Sequence, residues 1–274
     1  MNSAMKKWGR LTLDKFTLWL LRWQSMEKFV GFLAYQRRRV IRARLEHQLR
    51  GQGLYRDEVM HGPFRGLTYP PLEQWASCRF EKIVGTYEHE LHDLLERLPA
   101  SKSYQTIVNV GGAEGFYSIG LALLFPAARV ISFEAHPSNN AFGENLARLN
   151  GVSDRIDFRG FCTAETLAAV RPEGSALVWM DIDTGERSVL DPVKVPWLKQ
   201  ADILVELHDC LEPGLTPLIR ARFSTTHKIE QITNSGLEYV HYPILRDLPF
   251  SEIDALVGDD RRGLQDWFFM QPLR

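Results

Sequence analysis

The spacing of apolar positions changes twice along this chain, and each change marks a new kind of element. Over residues 10–34, Phe16, Trp19, Leu20, Trp23, Met26, Val30 and Leu33 recur every three or four positions, which predicts a helix with one apolar stripe. A second helical stretch, from about Gln36 to Arg50, carries Arg37, Arg38, Arg39, Arg42 and Arg44. Gly51 to Gly53 predicts a joint, and Gly62 to Pro71 a short strand between turns. The next helix is predicted from Phe80 to Leu98, closed by Pro99. From Tyr104 the pattern becomes one of short apolar runs separated by helical stretches. Strands are predicted at Thr106 to Val110, Arg129 to Phe133, Arg155 to Phe158, Ala176 to Met180 and Ile203 to Leu207, and again at Lys228 to Thr233 and Trp267 to Met270. Helices are predicted at Phe116 to Leu124, Ser138 to Leu149 and Pro213 to Arg222. Such alternation implies an α/β protein with a doubly wound, mostly parallel sheet of about seven strands and helices on both faces. The chain thus divides into an arm (1–50), a cap segment with strand and helix (51–100) and a core (101–274).

Composition sharpens this picture mainly through charge. The 274 residues, 45% hydrophobic, are enough to bury one sizeable core. The formal charge of -1 hides a split: residues 1–50 carry a net charge of +9 and the remainder -10. A basic arm of this kind packs on the body or on a second subunit, making a homodimer, or lies in a membrane interface with its tryptophans at headgroup depth and its arginines on anionic lipid. No nucleic-acid partner is expected, because nothing in the body resembles a recognition motif. Cys78, Cys162 and Cys210 are isolated, which fits plain core residues in a reducing, cytoplasmic compartment. The longest uncharged run, Phe116 to Ala128, is too short to cross a bilayer and contains Pro126. Lys6 and Lys7 look like a charged leader, but Arg10, Asp14, Lys15 and Arg22 interrupt any apolar segment, so secretion is not expected.

The stretch richest in chemistry is Ile107-Val108-Asn109-Val110-Gly111-Gly112-Ala113-Glu114-Gly115-Phe116-Tyr117, a predicted strand running through a glycine-rich turn into a helix. Glycine permits backbone angles and close approaches that a side chain blocks. In a doubly wound sheet this turn lies at the carboxyl ends of the strands, where ligands bind. Glu134, ending the second strand, stands where a carboxylate accepts hydrogen bonds from ribose hydroxyls. Both a dinucleotide and S-adenosylmethionine fit that outline. A dinucleotide turn wants GxGxxG, whereas Ala113 takes the place of the second glycine and Phe116 that of the last. Glu114 puts a negative charge near the helix start, which repels a phosphate and suits a methionine moiety with its ammonium and sulfonium.

With three further stretches, the sequence resembles class I S-adenosylmethionine-dependent methyltransferases and, within them, the FkbM-like family. Phe133-Glu134-Ala135-His136-Pro137 followed by Asn145-Leu146-Ala147-Arg148-Leu149-Asn150-Gly151 looks like that family's FEPHP...NLxLNG. Met180-Asp181-Ile182-Asp183-Thr184-Gly185-Glu186 is similar to its D-x-E-G-x-E, and Val205-Glu206-Leu207-His208 to its VEvH. Asp183 departs from the family's glutamate, and Thr184-Gly185 shifts the glycine by one place. Gly62-Pro63-Phe64-Arg65-Gly66 and Gly85-Thr86-Tyr87-Glu88 look like segments of uncharacterised members. The resemblance spans about Phe64 to Asp209. It implies a Rossmann-like fold and S-adenosyl-L-methionine as cofactor. Asn109, Gly111, Gly112, Ala113, Glu114, Gly115 and Tyr117 would surround its methionine part and Glu134 would bind the ribose. Ala135 and His136 would lie beside the adenosine, Gly160 to Thr163 with Cys162 near the adenine, and Asp181 would face the transferred methyl. The implied acceptor is a small molecule or glycan: a hydroxyl of a sugar, glycolipid or secondary metabolite.

Asp181, Asp183, Glu186, Glu206, His208 and Asp209 all fall at the ends of the predicted fourth and fifth strands, which share one rim in a parallel sheet. His208 is the natural general base, with Asp181 the second candidate. A divalent cation on some of Asp181, Asp183, Glu206 and His208 would instead orient an acceptor diol and lower its pKa. The competing structural reading has Glu206 and Asp209 capping loops or pairing with Arg187 and Arg222. Tyr87, Glu88, His89 and His92 share a predicted helix, and Glu88 and His92, four residues apart, read as a solvated face rather than as a metal or substrate ligand pair; His227 reads as structural. Two other functions remain open at this stage. One is a non-catalytic protein that keeps the cofactor fold and works through its arm; the other is a nicotinamide-dependent oxidoreductase, disfavoured by Ala113.

Overall fold

The computed structural model of the protein describes residues 24–71, 78–233, 236–257 and 265–273. The chain forms two compact units, Met1–Leu54 with Leu248–Gly258, and Tyr55–Asp247 with Asp259–Arg274. In the smaller unit a single helix runs over Gln24–Gly51, where two helices were expected. The earlier part of the predicted arm helix, with Phe16, Trp19, Leu20 and Trp23, lies outside the described residues. Between residues 34 and 36 the sequence offers no proline or glycine to interrupt the backbone ladder, so the helix continues. A second helix, Phe250–Val257, packs on it, with Arg42 donating to the carbonyl of Ala255 at 2.7 Å and Arg44 paired with Glu252 at 2.5 Å. The predicted stripe is not buried along its described length: Val30 and Leu33 are exposed, as are Phe29, Phe32 and Tyr35, while Leu45 and Leu49 are buried.

Among the described residues the larger unit is built on seven strands: β1 Thr106–Val110, β2 Arg129–Phe133, β3 Ile156–Arg159, β4 Ala176–Met180, β5 Asp202–Leu207, β6 His227–Thr233 and β7 Asp266–Pro272. Their order is β3-β2-β1-β4-β5-β7-β6. The first five are parallel, and β7 runs antiparallel between β5 and β6. This is a Rossmann-like doubly wound sheet. Strands β1, β4 and β5 are buried at every position, as continuous apolar runs covered on both faces must be, whereas the edge strands β3 and β6 are only partly buried. One face carries Val108, Val110, Val178, Met180, Ile203, Val205 and Leu207 against Leu167, Leu198, Ile219 and Phe223. Cys162 belongs to the same core.

The cap departs from the expected elements. Gly62–Pro71 makes turns and a single antiparallel bridge, Glu58 to Thr68, rather than a strand. The helix expected from Phe80 to Leu98 is three pieces: Arg79–Val84, a 3-10 turn at His89–Leu91, and His92–Ser101. It breaks because Gly85 and Glu88 both adopt left-handed backbone angles (φ 83° and 46°). Pro99 does not close the last piece but sits inside it, its ring tolerated near the end of a short helix. The cap is tied to the core by Asn150, whose side chain accepts from the Thr68 amide and donates to the Thr68 carbonyl, each at 2.8 Å. It is also held by Phe64, packed edge-on against Phe116 and Tyr117.

Candidate functional site

The glycine-rich turn sits where the winding of the sheet reverses, between β1 and β4. A Cβ on Gly111, which has φ 92°, would lie 1.7 Å from the Asp181 carbonyl oxygen, and one on Gly112 2.3 Å from Ser132 Oγ. Both glycines are therefore demanded by the close passage of the turn between the ends of β4 and β2. Ala113 holds a left-handed conformation (φ 42°), unfavourable by roughly 1 kcal/mol for a residue with a Cβ. Its amide donates to Glu134 Oε2 at 2.9 Å, while Glu134 Oε1 accepts from the amide of His136 at 2.8 Å and from Asn139 at 3.3 Å. Glu134 thus clasps the turn to the end of β2, and Oε2, which accepts only one of these bonds, keeps a lone pair for a hydroxyl. Ala135 and His136 are exposed beside it. After β3, Gly160 has open space where a side chain would stand, and the ring of Phe161 is 72% exposed.

Four of the residues expected around the cofactor are placed differently. Asn109 lies beneath the turn, fully buried, with its amide donating to Ser118 Oγ at 2.8 Å, so it pins the helix Phe116–Leu124 to β1. Cys162 points into the core, where burial pushes its thiol up to about 11. Glu114 is buried and paired with Lys82, whose ammonium also stands 4.7 Å over the Tyr87 ring. Glu114 therefore offers no free charge to a methionine moiety, because its charge is balanced from the cap. Tyr117 faces the cap as well, donating its hydroxyl to Glu88 and packing its ring 4.0 Å from that of Trp179.

At the ends of β4 and β5 the acidic residues converge on one imidazole. His208 is 1% exposed, and its Nδ1–H donates to Glu186 at 2.7 Å. Its Nε2 lies 3.4 Å from Glu206, 3.6 Å from Asp181 and 3.7 Å from the exposed Asp183. Burial works against the imidazolium, but the carboxylates of Glu186, Glu206 and Asp181 outweigh it, and the pKa is pushed up to about 11. Burial, then Glu206 and Glu88, hold the Asp181 carboxyl well above the usual carboxylate range. Asp181, Glu206 and His208 each offer one ligand atom within 4.8 Å of the others, which makes them the described residues placed to hold a metal ion.

The structural reading applies to Asp209, which accepts from the amides of Gly214 and Thr216 and caps the helix Leu215–Phe223. It does not apply as drawn to Arg187 and Arg222, which pair with Glu212 and Asp191. The expected solvated face of Glu88 and His92 is also corrected. Glu88 is buried, the break at Gly85 having turned it inward, and it is close enough to Asp181 to act on its charge. Nothing in the helical spacing signalled this; the glycine three positions earlier was the available clue. Among the described residues, four that are not glycine have positive φ, and three of them, Glu88, Ala113 and Asp183, stand around this rim, as strained backbone at functional sites does.

No family model matches the sequence, and no curated protein does. Solved structures similar to the chain include an O-methyltransferase from Bacillus cereus in complex with SAH (13% identity, 74% of this chain and 84% of that one, TM-score 0.45). Another is the O-methyltransferase TomG from Streptomyces achromogenes in complex with SAM, at 14% identity, 72% and 91% coverage and TM-score 0.45. A third is a human methyltransferase 10 domain containing protein, at 12% identity, 86% and 99% coverage and TM-score 0.46. None of the described helices is long and apolar enough to cross a membrane.

Proposed function

We propose that this protein is an S-adenosylmethionine-dependent O-methyltransferase acting on a hydroxyl of a sugar, glycolipid or secondary metabolite, as its resemblance to the FkbM-like family implies. The observation that carries the cofactor reading is the sheet. Dinucleotide-binding halves wind in the order 3-2-1-4-5-6, whereas here β7 turns back antiparallel between β5 and β6. The residues fit the cofactor. Glu134 Oε2 offers a free lone pair to a ribose hydroxyl, the loop at Gly160 and Phe161 leaves room for a purine, and the turn from Gly111 to Gly115 brings its backbone to the end of β4. When bound, S-adenosylmethionine supplies a methyl already activated by its sulfonium. The chain's part is to align the acceptor oxygen and remove its proton. His208 already holds its own proton, so Asp181, made a stronger base by burial and by Glu206, is the group on the rim that takes it, with the His208 imidazolium beside it. As the hydroxyl gives it up, the oxygen's electron pair makes the bond to carbon and the carbon–sulfur pair stays on sulfur. Glu88 and Tyr117 extend the rim into the cap, on the side from which an acceptor enters.

Calorimetry with S-adenosylmethionine and with nicotinamide dinucleotides tests the cofactor, and absence of S-adenosylmethionine binding would overturn the proposal. A mass-spectrometric screen for acceptors that gain one methyl then identifies the substrate. The exposed Phe29, Phe32, Leu33 and Tyr35, followed by Arg37, Arg38 and Arg39, favour a second role: peripheral contact of the arm, residues 1–50, with an anionic membrane at its cytoplasmic face.

A further inference from the structure

Two stretches singled out in the sequence, Gly62-Pro63-Phe64-Arg65-Gly66 and Gly85-Thr86-Tyr87-Glu88, are brought together by the fold. A Cβ on Gly85 (φ 83°) would lie 2.1 Å from the His61 carbonyl oxygen, and one on Gly62 (φ 78°) 2.8 Å from the His92 ring. These close passages fold the cap around a narrow crevice against the core. Its walls are the rings of Phe64, Tyr87, Phe116 and Tyr117, closed by Val59 and Leu95. Phe116 and Tyr117 open the helix that follows the glycine-rich turn, so the back wall of the crevice begins where the turn ends. The geometry points to an acceptor subsite in this crevice for one flat, uncharged ring that carries a hydroxyl, a phenol. The aromatic subsite stands alone; its part in methyl transfer rests on the reading above and narrows the acceptor to the aromatic members of that range.

The character of the lining selects the occupant. No carboxylate, ammonium or guanidinium lines the crevice among the described residues, so a charged group placed there would go unpaired. The wall rings already meet one another edge to face, Phe64 with Phe116 at 5.3 Å and Tyr87 with Phe116 at 5.9 Å, and a further aromatic ring extends that packing. The polar groups are two histidines, His61 and His92. Burial lowers the pKa of both, with Arg65 adding to the effect at His61, so both are neutral at pH 7. One ring nitrogen of His92 engages the Tyr87 backbone, which leaves the second as an acceptor for a hydroxyl. Two imidazoles can satisfy the hydroxyl of a phenol but not the several hydroxyls of a sugar, each costly if buried unpaired. The crevice encloses about 260 Å³ including its open mouth, less than the roughly 300–1,000 Å³ of sites for drug-sized ligands, so it takes a single ring. That ring enters by turning the half-buried imidazole of His61, which rests edge-on against Tyr242 at 5.7 Å.

The crevice adjoins the acidic rim. Tyr87, in its wall, is within range of the Asp181 charge, and Tyr117 donates to Glu88, whose charge also acts on Asp181. A phenolic hydroxyl, with a pKa of about 10, gives its proton to a carboxylate more readily than an aliphatic hydroxyl does. The step balances as above: the proton goes to Asp181, the oxygen's electron pair to the methyl carbon and the carbon–sulfur pair to sulfur.

The test uses the full chain and saturation-transfer NMR with phenol and catechol, and with glucose, benzoate and benzylammonium as comparators. Phenol and catechol should bind with Kd on the order of 1 mM, and the comparators at least about tenfold more weakly. Leu95→Phe, which fills the crevice, and His92→Phe, which removes the acceptor nitrogen, should each weaken phenol binding about tenfold or more. Phe250→Ser removes an exposed ring of the smaller unit and should bind as wild type, which separates the crevice from adsorption on surface aromatics. Circular dichroism shows which variants are folded; Leu95→Ala, which widens the crevice, should in addition admit 2-naphthol that the wild type excludes. Absence of phenol binding by the wild type, equal binding of glucose, or unchanged binding in the folded variants overturns the proposal. A ring-free sugar methylated equally by wild type and Leu95→Phe overturns the acceptor role. S-adenosylmethionine binding without phenol binding overturns this inference alone, whereas phenol binding without S-adenosylmethionine binding removes the methyl-transfer reading and leaves the aromatic subsite in place.

Discussion

The buried pair between Lys82 and Glu114 joins the cap to the glycine-rich turn, and its energetics can be worked from the structure. Side-chain exposures are 5% and 6%, so both charges are withdrawn from water, and the ammonium lies over the rings of Tyr87 and Phe116 at 4.7 and 5.3 Å. Removing one partner of such a pair strands the other and costs about 3–5 kcal/mol. At roughly 2–4 °C per kcal/mol for a unit of this size, Glu114→Gln and Lys82→Met should each lower Tm by about 10 °C. The double variant Lys82→Met/Glu114→Gln carries no stranded charge and should recover most of the loss, giving a large coupling in a double-mutant cycle. Burial opposes the lysine's charge, but Glu114 outweighs it, so the pKa of Lys82 is raised from 10.5. A raised pKa contributes stability that is complete below the unfolded value and lost as pH rises through the folded one. The cost of Glu114→Gln should therefore stay constant from pH 6 to about 9 and shrink only in strong alkali. Thermal and urea unfolding of the four proteins read this directly. Single variants costing less than about 1 kcal/mol, or costs that add in the double variant, would refute the reasoning.

Other outcomes follow from the same geometry. Glu134→Gln keeps one acceptor oxygen but turns a donor toward a backbone N–H; losing one charge-assisted bond, about 1.5–3 kcal/mol, should weaken S-adenosylmethionine binding about ten- to a hundredfold by calorimetry. Tyr117→Phe and Glu88→Gln should leave cofactor affinity unchanged and lower kcat/KM for the acceptor by about tenfold or more; a matching loss of cofactor binding would place Glu88 elsewhere. At pH 8, iodoacetamide should label the exposed Cys210 quickly and spare Cys162, whose thiol is held protonated by burial, until the protein unfolds; fast labelling of Cys162 in the native state would contradict its placement. On the membrane role of the arm, the full chain should float with anionic liposomes and a chain starting at Gly51 should not.

The sheet was readable because its strands are short apolar runs between turns, and β1, β2 and β4 match the predicted ranges residue for residue. The position of β7 was not readable: antiparallel pairing leaves the same apolar signature as parallel pairing. The cap was misread because helical spacing from Phe80 to Leu98 is real, yet two left-handed residues break it, and a left-handed glutamate has no sequence signature. Within the site, the convergence of Asp181, Glu206 and His208 followed from their places at strand ends. Directions did not follow, since a residue in a turn can face the ligand, as Glu134 does, or the protein, as Asn109 and Glu114 do. The arm helix shows the same limit. Its apolar spacing predicted a face to be covered, whereas Val30 and Leu33 are exposed.

The insertion of β7 between β5 and β6 has a consequence for how the protein is made. While the chain is being synthesised, β5 emerges well before the strand that will cover its free edge, and Glu206 lacks its neighbour Trp267 until β7 arrives. A nascent or truncated chain therefore shows proteases and chaperones an unpaired apolar edge beside an open acidic rim. Survival in the cell and completion of the rim then depend on one event, the docking of β7, so that intact molecules are also assembled ones.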